Sequence, residues 1–161
     1  MQGLAQTLDV STVTLYKYYK NSIAVIEDLY QTTLSVLYQF PDFFPADKTS
    51  TGIVPALLSL LLDDMLARKE DFRLAITLGL YIYPAKETAE ILPAQSFVQY
   101  LRKLLSRLCP DCHFSPDFLS FAANACISFI QTAALQNDSD IQRQKAQLLR
   151  SIELFLEYEN K

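Results

Sequence analysis

Apolar residues recur along this chain at three- and four-residue spacing, in blocks of helical length, without the two-residue alternation and hairpin turns of strands. The first block covers residues 2–7 and is closed by Leu8-Asp9-Val10. Ser11 then stands where an N-cap belongs, with Thr12 to Tyr18 as a short second helix. A third, longer helix is predicted from Ile23 to about Phe40, capped by Ser22 and ended by Pro41 and Pro45. Its apolar face carries Ile23, Ile26, Leu29 or Tyr30, Leu34, Leu37 and Tyr38.

After a polar loop, a helix is predicted from about Ile53 to Arg68, with Pro55 at its start. Another begins at Asp71 and is stopped by Pro84, and a further one runs from about Thr88 to Leu108, with Pro93 in an irregular first turn or at a kink. Ser115-Pro116-Asp117 combines a capping serine, a proline at the first helical position and an acid at the positive end of the helix dipole. The last helix begins near Asp138 and carries Ile141, Leu148, Ile152, Phe155 and Leu156 towards Tyr158. No internal repeat is present, and the expected fold class is all-α.

Composition agrees with that expectation: half of the 161 residues are hydrophobic, only three are glycine and none is tryptophan. Such a chain holds one domain, or a small head sharing a long helix with a larger body. The formal net charge of −4 argues against a protein that coats nucleic acid through many phosphate contacts. Residues 1–22 nevertheless carry Lys17 and Lys20 against Asp9, so any nucleic-acid contact belongs at the N-terminal end. No signal-peptide pattern opens the sequence, which makes a cytoplasmic location the expectation and leaves Cys109, Cys112 and Cys126 as thiols. Residues 118–137 are uncharged over a membrane-spanning length, but their amides and hydroxyls and the want of flanking cations favour a helix buried in protein; no membrane partner is expected.

The segment from Leu4 to Asn21 makes a short helix, a tight break with an apolar residue inside it, a serine cap and a second short helix, which together read as a helix-turn-helix. The second helix has to be short and firmly held so that its N-terminal residues reach base edges while its flanks touch phosphates. These residues resemble the TetR family of transcriptional regulators. Leu4 and Ala5 match that family's apolar-Ala pair, Val10-Ser11 its turn and cap, Thr14-Leu15-Tyr16 its recognition-helix signature, and Tyr18-Tyr19 its aromatic pair. The resemblance implies that Thr14, Tyr16 and Lys20 contact phosphates, that Thr12, Val13, Lys17 and Tyr18 face the groove, and that Leu15 holds the helix on its support. It covers about residues 4–30 and departs from the family pattern at three points. Asp9 stands where a glycine is usual, Ser22 where a loop lysine is usual, and the helix the family places before Leu4 is not in the sequence as given.

By this resemblance residues 1–40 form a partial DNA-binding domain with its connecting helix, and residues 41–161 a helical ligand-binding and dimerisation domain. The implied protein is a ligand-responsive regulator, expected to be a repressor, that binds a palindromic double-stranded DNA operator as a homodimer and answers to a small-molecule effector. The alternative is a helical ligand-binding dimer that does not bind DNA. Candidates for the effector site are Phe72, Tyr81, Tyr83, Phe97, Tyr100, Phe121 and Phe129, with polar contacts from Asn124 and Ser128.

On a helical wheel of residues 118–135, Ser120, Asn124, Ser128 and Gln131 gather on one side and the apolar sector exceeds half the circumference. A second copy of the chain is expected to cover part of that sector, with Ala122, Ala123, Ala133 and Ala134 allowing close approach. On the same expectation, a charge at Ala133 or Ile152 weakens association.

Cys109-Pro110-Asp111-Cys112-His113 matches the c-type haem attachment pattern and offers zinc two thiols and an imidazole. The missing export signal weighs against haem and the want of a fourth ligand against zinc, so no metal or cofactor is expected and the segment reads as a loop between helices. With one histidine, no glycine-rich phosphate loop and no nucleophile in a recognisable motif, the chain is not expected to be an enzyme.

Overall fold

The computed structural model describes residues 1–39, 50–110, 112–135 and 140–159. Among them the chain forms helices α1 Gln2–Thr7, α2 Thr12–Tyr18, α3 Ser22–Leu37, α4 Ser50–Ala67, α5 Lys69–Ile82, α6 Thr88–Ile91, α7 Ala94–Leu108, α8 Pro116–Leu135 and α9 Ile141–Glu159, and no strand. The all-α expectation holds.

Helix ends follow local chemistry, in places not where expected. Asn21, rather than Ser22, caps α3: its Oδ1 accepts from the Ala24 N–H at 2.9 Å, and its extended backbone leaves Ser22 as the first helical residue. α3 ends at Leu37, ahead of Phe40; Phe40, Pro41 and Pro45 lie outside the described residues. Pro55 falls inside α4, which starts at Ser50, so it is one turn further into the helix than expected. α5 starts at Lys69 and so gains Glu70 and Asp71 in its first turn, where both acids oppose the dipole.

The single helix expected over residues 88–108 is two. Pro93 has no N–H to continue α6 and holds Leu92 in an extended conformation (φ −98°, ψ 112°), and α7 starts afresh at Ala94. Ser115 caps α8 as expected, accepting from the Phe118 N–H at 2.9 Å. The expected start of α9 at Asp138 lies outside the described residues.

α8 is the axis of the body. It packs against α7, α5, α9, α4 and α6, and α3 lies along α5. By length and composition α8 can cross a membrane, but most of it is buried inside the protein. Its buried side carries Phe118, Leu119, Ala122, Ala123, Cys126, Ile127, Phe129, Ile130, Ala133 and Ala134. The four alanines expected at an intermolecular contact are therefore used within the chain. Against Ala134, for example, α5 comes close enough for Arg73 Nε to donate to the Ala134 carbonyl at 2.6 Å. Ile152 is also interior, so a charge at Ala133 or Ile152 disrupts the core of one chain rather than a contact between two. Gln131, placed by the wheel on the polar side, is buried.

Two further contacts tie the helices together. Lys145 on α9 is almost wholly buried and pairs with Asp63 on α4 at 2.7 Å. At Gly79 on α5, a Cβ would meet Ile91 Cγ2 at 2.3 Å and Tyr30 Cε2 at 3.1 Å, so only glycine allows α3, α5 and α6 to meet there. The same junction is closed by Tyr30, whose hydroxyl donates to the Ile91 carbonyl at 2.5 Å.

Candidate functional site

The α1–α2 pair is built by short-range chemistry. After α1 the Val10 N–H donates to the Ala5 carbonyl at 3.0 Å, and Asp9 takes a left-handed conformation, φ 52°. Aspartate tolerates that region better than most residues, which reverses the chain in few residues without glycine. Ser11 is extended and its Oγ accepts from the Thr14 N–H at 3.0 Å while sharing a hydrogen with Thr14 Oγ1 at 2.8 Å. The start of α2 is thus fixed at Thr12, as the sequence indicates.

α2 then buries one side chain and displays the rest. Leu15 is buried, Thr12 is half-buried, and Val13, Thr14, Tyr16, Lys17 and Tyr18 are exposed. Val13 is 77% exposed and Tyr18 71%. Those five exposed residues line one shallow concavity along the outer side of α2, with the Lys17 ammonium 5.8 Å from the centre of the Tyr18 ring. Lys20 is exposed just beyond the end of the helix. The seven residues selected from the sequence for DNA contact, Thr12, Val13, Thr14, Tyr16, Lys17, Tyr18 and Lys20, therefore lie on one short helix and its exit.

A feature the sequence did not reveal fixes the position of α2 on the long helix. The Tyr19 hydroxyl donates to Asp28 Oδ2 on α3 at 2.7 Å. That hydrogen bond, with the adjacent carboxylate charge, raises the Tyr19 phenol above its ordinary pKa. Only the nine-residue separation of an aromatic residue from an acid across a helix start hinted at it. The two tyrosines of the aromatic pair thus do different work: Tyr19 turns back to the protein and Tyr18 faces outward.

The candidates for an effector site divide between interior and surface. Phe72, Phe97 and Phe129 are buried in the core. Phe97 stacks with Tyr100 and meets Tyr38 at a tilt, each with ring centres 6.2 Å away. The Tyr38 hydroxyl is buried without a hydrogen-bond partner among the described residues, and burial raises its pKa far above the usual phenol value. Tyr81 is exposed, and Tyr83 meets Tyr30 edge to face. Phe121, Asn124 and Ser128 share the outer stripe of α8. Asn124 is turned to its own helix, donating to the Ser120 carbonyl at 2.8 Å.

At the α7–α8 connection no group of three or more ligating side chains is gathered among the described residues; Asp111 is not one of them. Comparison of the chain with protein-family models, with curated proteins and with solved structures finds no match.

Proposed function

We propose that the chain is a ligand-responsive transcriptional regulator of the TetR type, a repressor that binds a palindromic operator as a homodimer in the cytoplasm. One observation carries the reading: a serine-capped, seven-residue helix, entered through a left-handed Asp9, buries only Leu15 and presents Val13, Thr14, Tyr16, Lys17 and Tyr18 together to solvent. This is the arrangement needed to lay a short helix into a major groove, with threonine and tyrosine hydroxyls and two ammonium groups for phosphates and base edges. Exposed Val13 has a natural partner there in a thymine methyl group.

The dimer surface is the outer side of α8 and α9. There Phe121 and Phe155 stack with ring centres 4.8 Å apart, beside exposed Leu154 and Tyr158. An apolar cluster of this kind on a charged surface favours a second copy by burying aromatic area. The effector would enter the body, where the Phe97 and Tyr100 stack and the Tyr38 hydroxyl, without a hydrogen-bond partner among the described residues, offer an aromatic wall and a donor.

The test is selection of duplexes from a random pool, followed by salt titration on the selected and a scrambled duplex. The expected product is an inverted repeat bound by two chains. Lys20→Ala should weaken both duplexes alike and lower the salt slope by about one per chain. Lys17→Ala should act mainly on the selected duplex, at a cost of about 1 to 3 kcal/mol. A chain that sediments as a dimer yet enriches no duplex would overturn the DNA-binding reading in favour of a ligand-binding dimer.

A further inference from the structure

A pair of thiols lies where α7 hands over to α8, outside the surfaces used above. Cys109 is the C-cap residue of α7 and is buried in the core; Cys112 is half-buried. The Cys112 N–H donates to the Cys109 carbonyl at 3.0 Å, a backbone hydrogen bond between residues three apart. A hydrogen bond between residues three apart brings their Cα atoms within about 7 Å, close to the span of a disulfide. Burial, followed by the adjacent Cys112 thiol, holds the Cys109 thiol above its ordinary pKa.

Only one of them meets solvent. Cys112 lines a cavity of about 320 Å³ together with Arg102, Ser106, His113 and an apolar floor that includes Phe114 and Leu119. The third cysteine supplies an internal contrast: Cys126 is fully enclosed on α8, and burial pushes its thiol up to about 12.

We infer that Cys109 and Cys112 form a reversible oxidation site, in which a small hydroperoxide entering the Cys112 cavity converts the dithiol to an intramolecular disulfide. The chemistry balances with hydrogen peroxide as the oxidant. The Cys112 sulfur attacks one peroxide oxygen and the O–O bond breaks. The departing oxygen leaves as water with the Cys112 proton, and Cys112 becomes a sulfenic acid. The Cys109 sulfur then attacks the Cys112 sulfur, the S–O bond breaks, and the second water leaves with the Cys109 proton. The pair has lost two electrons and two protons, and a dithiol reductant restores it.

Burial of Cys109 gives the order of events, because the accessible sulfur reacts first and its enclosed neighbour resolves the product. The backbone hydrogen bond from Cys112 to Cys109 holds the two residues close, so the second step needs little rearrangement. The disulfide closes the turn between the end of α7 and the start of α8, next to the Phe114–Phe118 stack at 5.7 Å.

The experiment uses the whole chain, treated with hydrogen peroxide at low molar excess and read by intact mass and by counting alkylatable thiols. The native chain and the Cys126→Ala variant should each lose about 2 Da and two alkylatable thiols, and regain both with dithiothreitol. Cys109→Ser should stop at the sulfenic acid, trapped by dimedone. Cys112→Ser should lose thiol at least about tenfold more slowly than native protein, because the remaining sulfurs are enclosed. Circular dichroism of each variant confirms that it is folded before the comparison is made. Oxidation that appears only as added oxygen on the native chain, or as disulfides between chains, or at the same rate in Cys112→Ser, would overturn the inference.

Discussion

The N-terminal pair α1–α2 and the body around α8 are both helical, yet they are held by different means. In the body, α8 is in contact with five other helices, and Phe72, Phe97 and Phe118 are completely enclosed. In the pair, only Ala5 and Leu15 are buried, while Leu8, Val10, Val13, Tyr16 and Tyr18 are exposed. What fixes the pair is directional: the Ser11 cap, the left-handed turn at Asp9 and the Tyr19–Asp28 hydrogen bond. Apolar burial contributes stability in proportion to area removed from water, whereas a cap or a surface hydrogen bond contributes on the order of 1 kcal/mol. The body should therefore unfold as a cooperative unit, and the pair should open locally at lower free energy.

The largest test of this contrast sets Phe97→Ala against Leu15→Ala. Phe97 is wholly enclosed, and its truncation should lower the global unfolding free energy by about 3 to 5 kcal/mol, read as a large fall in the urea midpoint. Leu15→Ala should leave that midpoint nearly unchanged and instead raise amide exchange over residues 2–19. Equal loss of the global midpoint in both variants would show that the pair and the body fold as one unit.

A smaller, two-signed test stays within the pair. Ser11→Ala removes the acceptor for the Thr14 N–H and should destabilise α2 by about 1 kcal/mol. Asp9→Gly should act in the opposite direction by about 0.5 kcal/mol, since glycine adopts φ 52° without a Cβ penalty. Both are read from local amide exchange in α2. The same sign for both variants would mean that the local-chemistry account of the pair is wrong.

These features also mark what could be read in advance. The bounds of α1 and α2 and the Ser115 cap were legible because caps and turns are local: a serine followed by a helical run, or a Ser-Pro-Asp start, carries its own physics. The split at Pro93 was half legible, because a proline marks a break but does not say whether a helix bends or restarts. Which side of α8 would be covered by its own chain was not legible. Periodicity reports how much of a helix is apolar and not what lies against it, so Ala122, Ala133 and Ile152 were assigned to a contact between chains and proved interior. Among the aromatics, the same limit left Phe72 and Phe97 indistinguishable from surface residues such as Tyr81 and Phe121. The Gly79 junction depends on three helices meeting, and no local pattern encodes it.

The smallest expected effect is also the most selective for the pair, and it is a response to alkaline pH. The Tyr19 hydroxyl donates to Asp28 at the surface, and that hydrogen bond is the largest cause of a phenol pKa raised above 10.0 in the folded chain, followed by repulsion from the same carboxylate. A folded-state pKa above the unfolded value means that the folded chain holds this proton more tightly. The contribution is therefore fully present below pH 10 and is lost as pH rises through the folded pKa. No corresponding window exists on the acid side for this group. In the native chain, amide exchange in α2, corrected for its intrinsic dependence on pH, should accelerate over that alkaline range, while α8 keeps its protection. Tyr19→Phe should remove the step, because phenylalanine neither donates nor ionises, and should leave α2 equally labile on both sides of pH 10. Asp28→Asn should return the Tyr19 ring titration towards the ordinary phenol value when followed by carbon NMR of the ring. A Tyr19 titration unchanged by Asp28→Asn would show that another group sets the shift, and that the link from α2 to α3 has to be sought elsewhere.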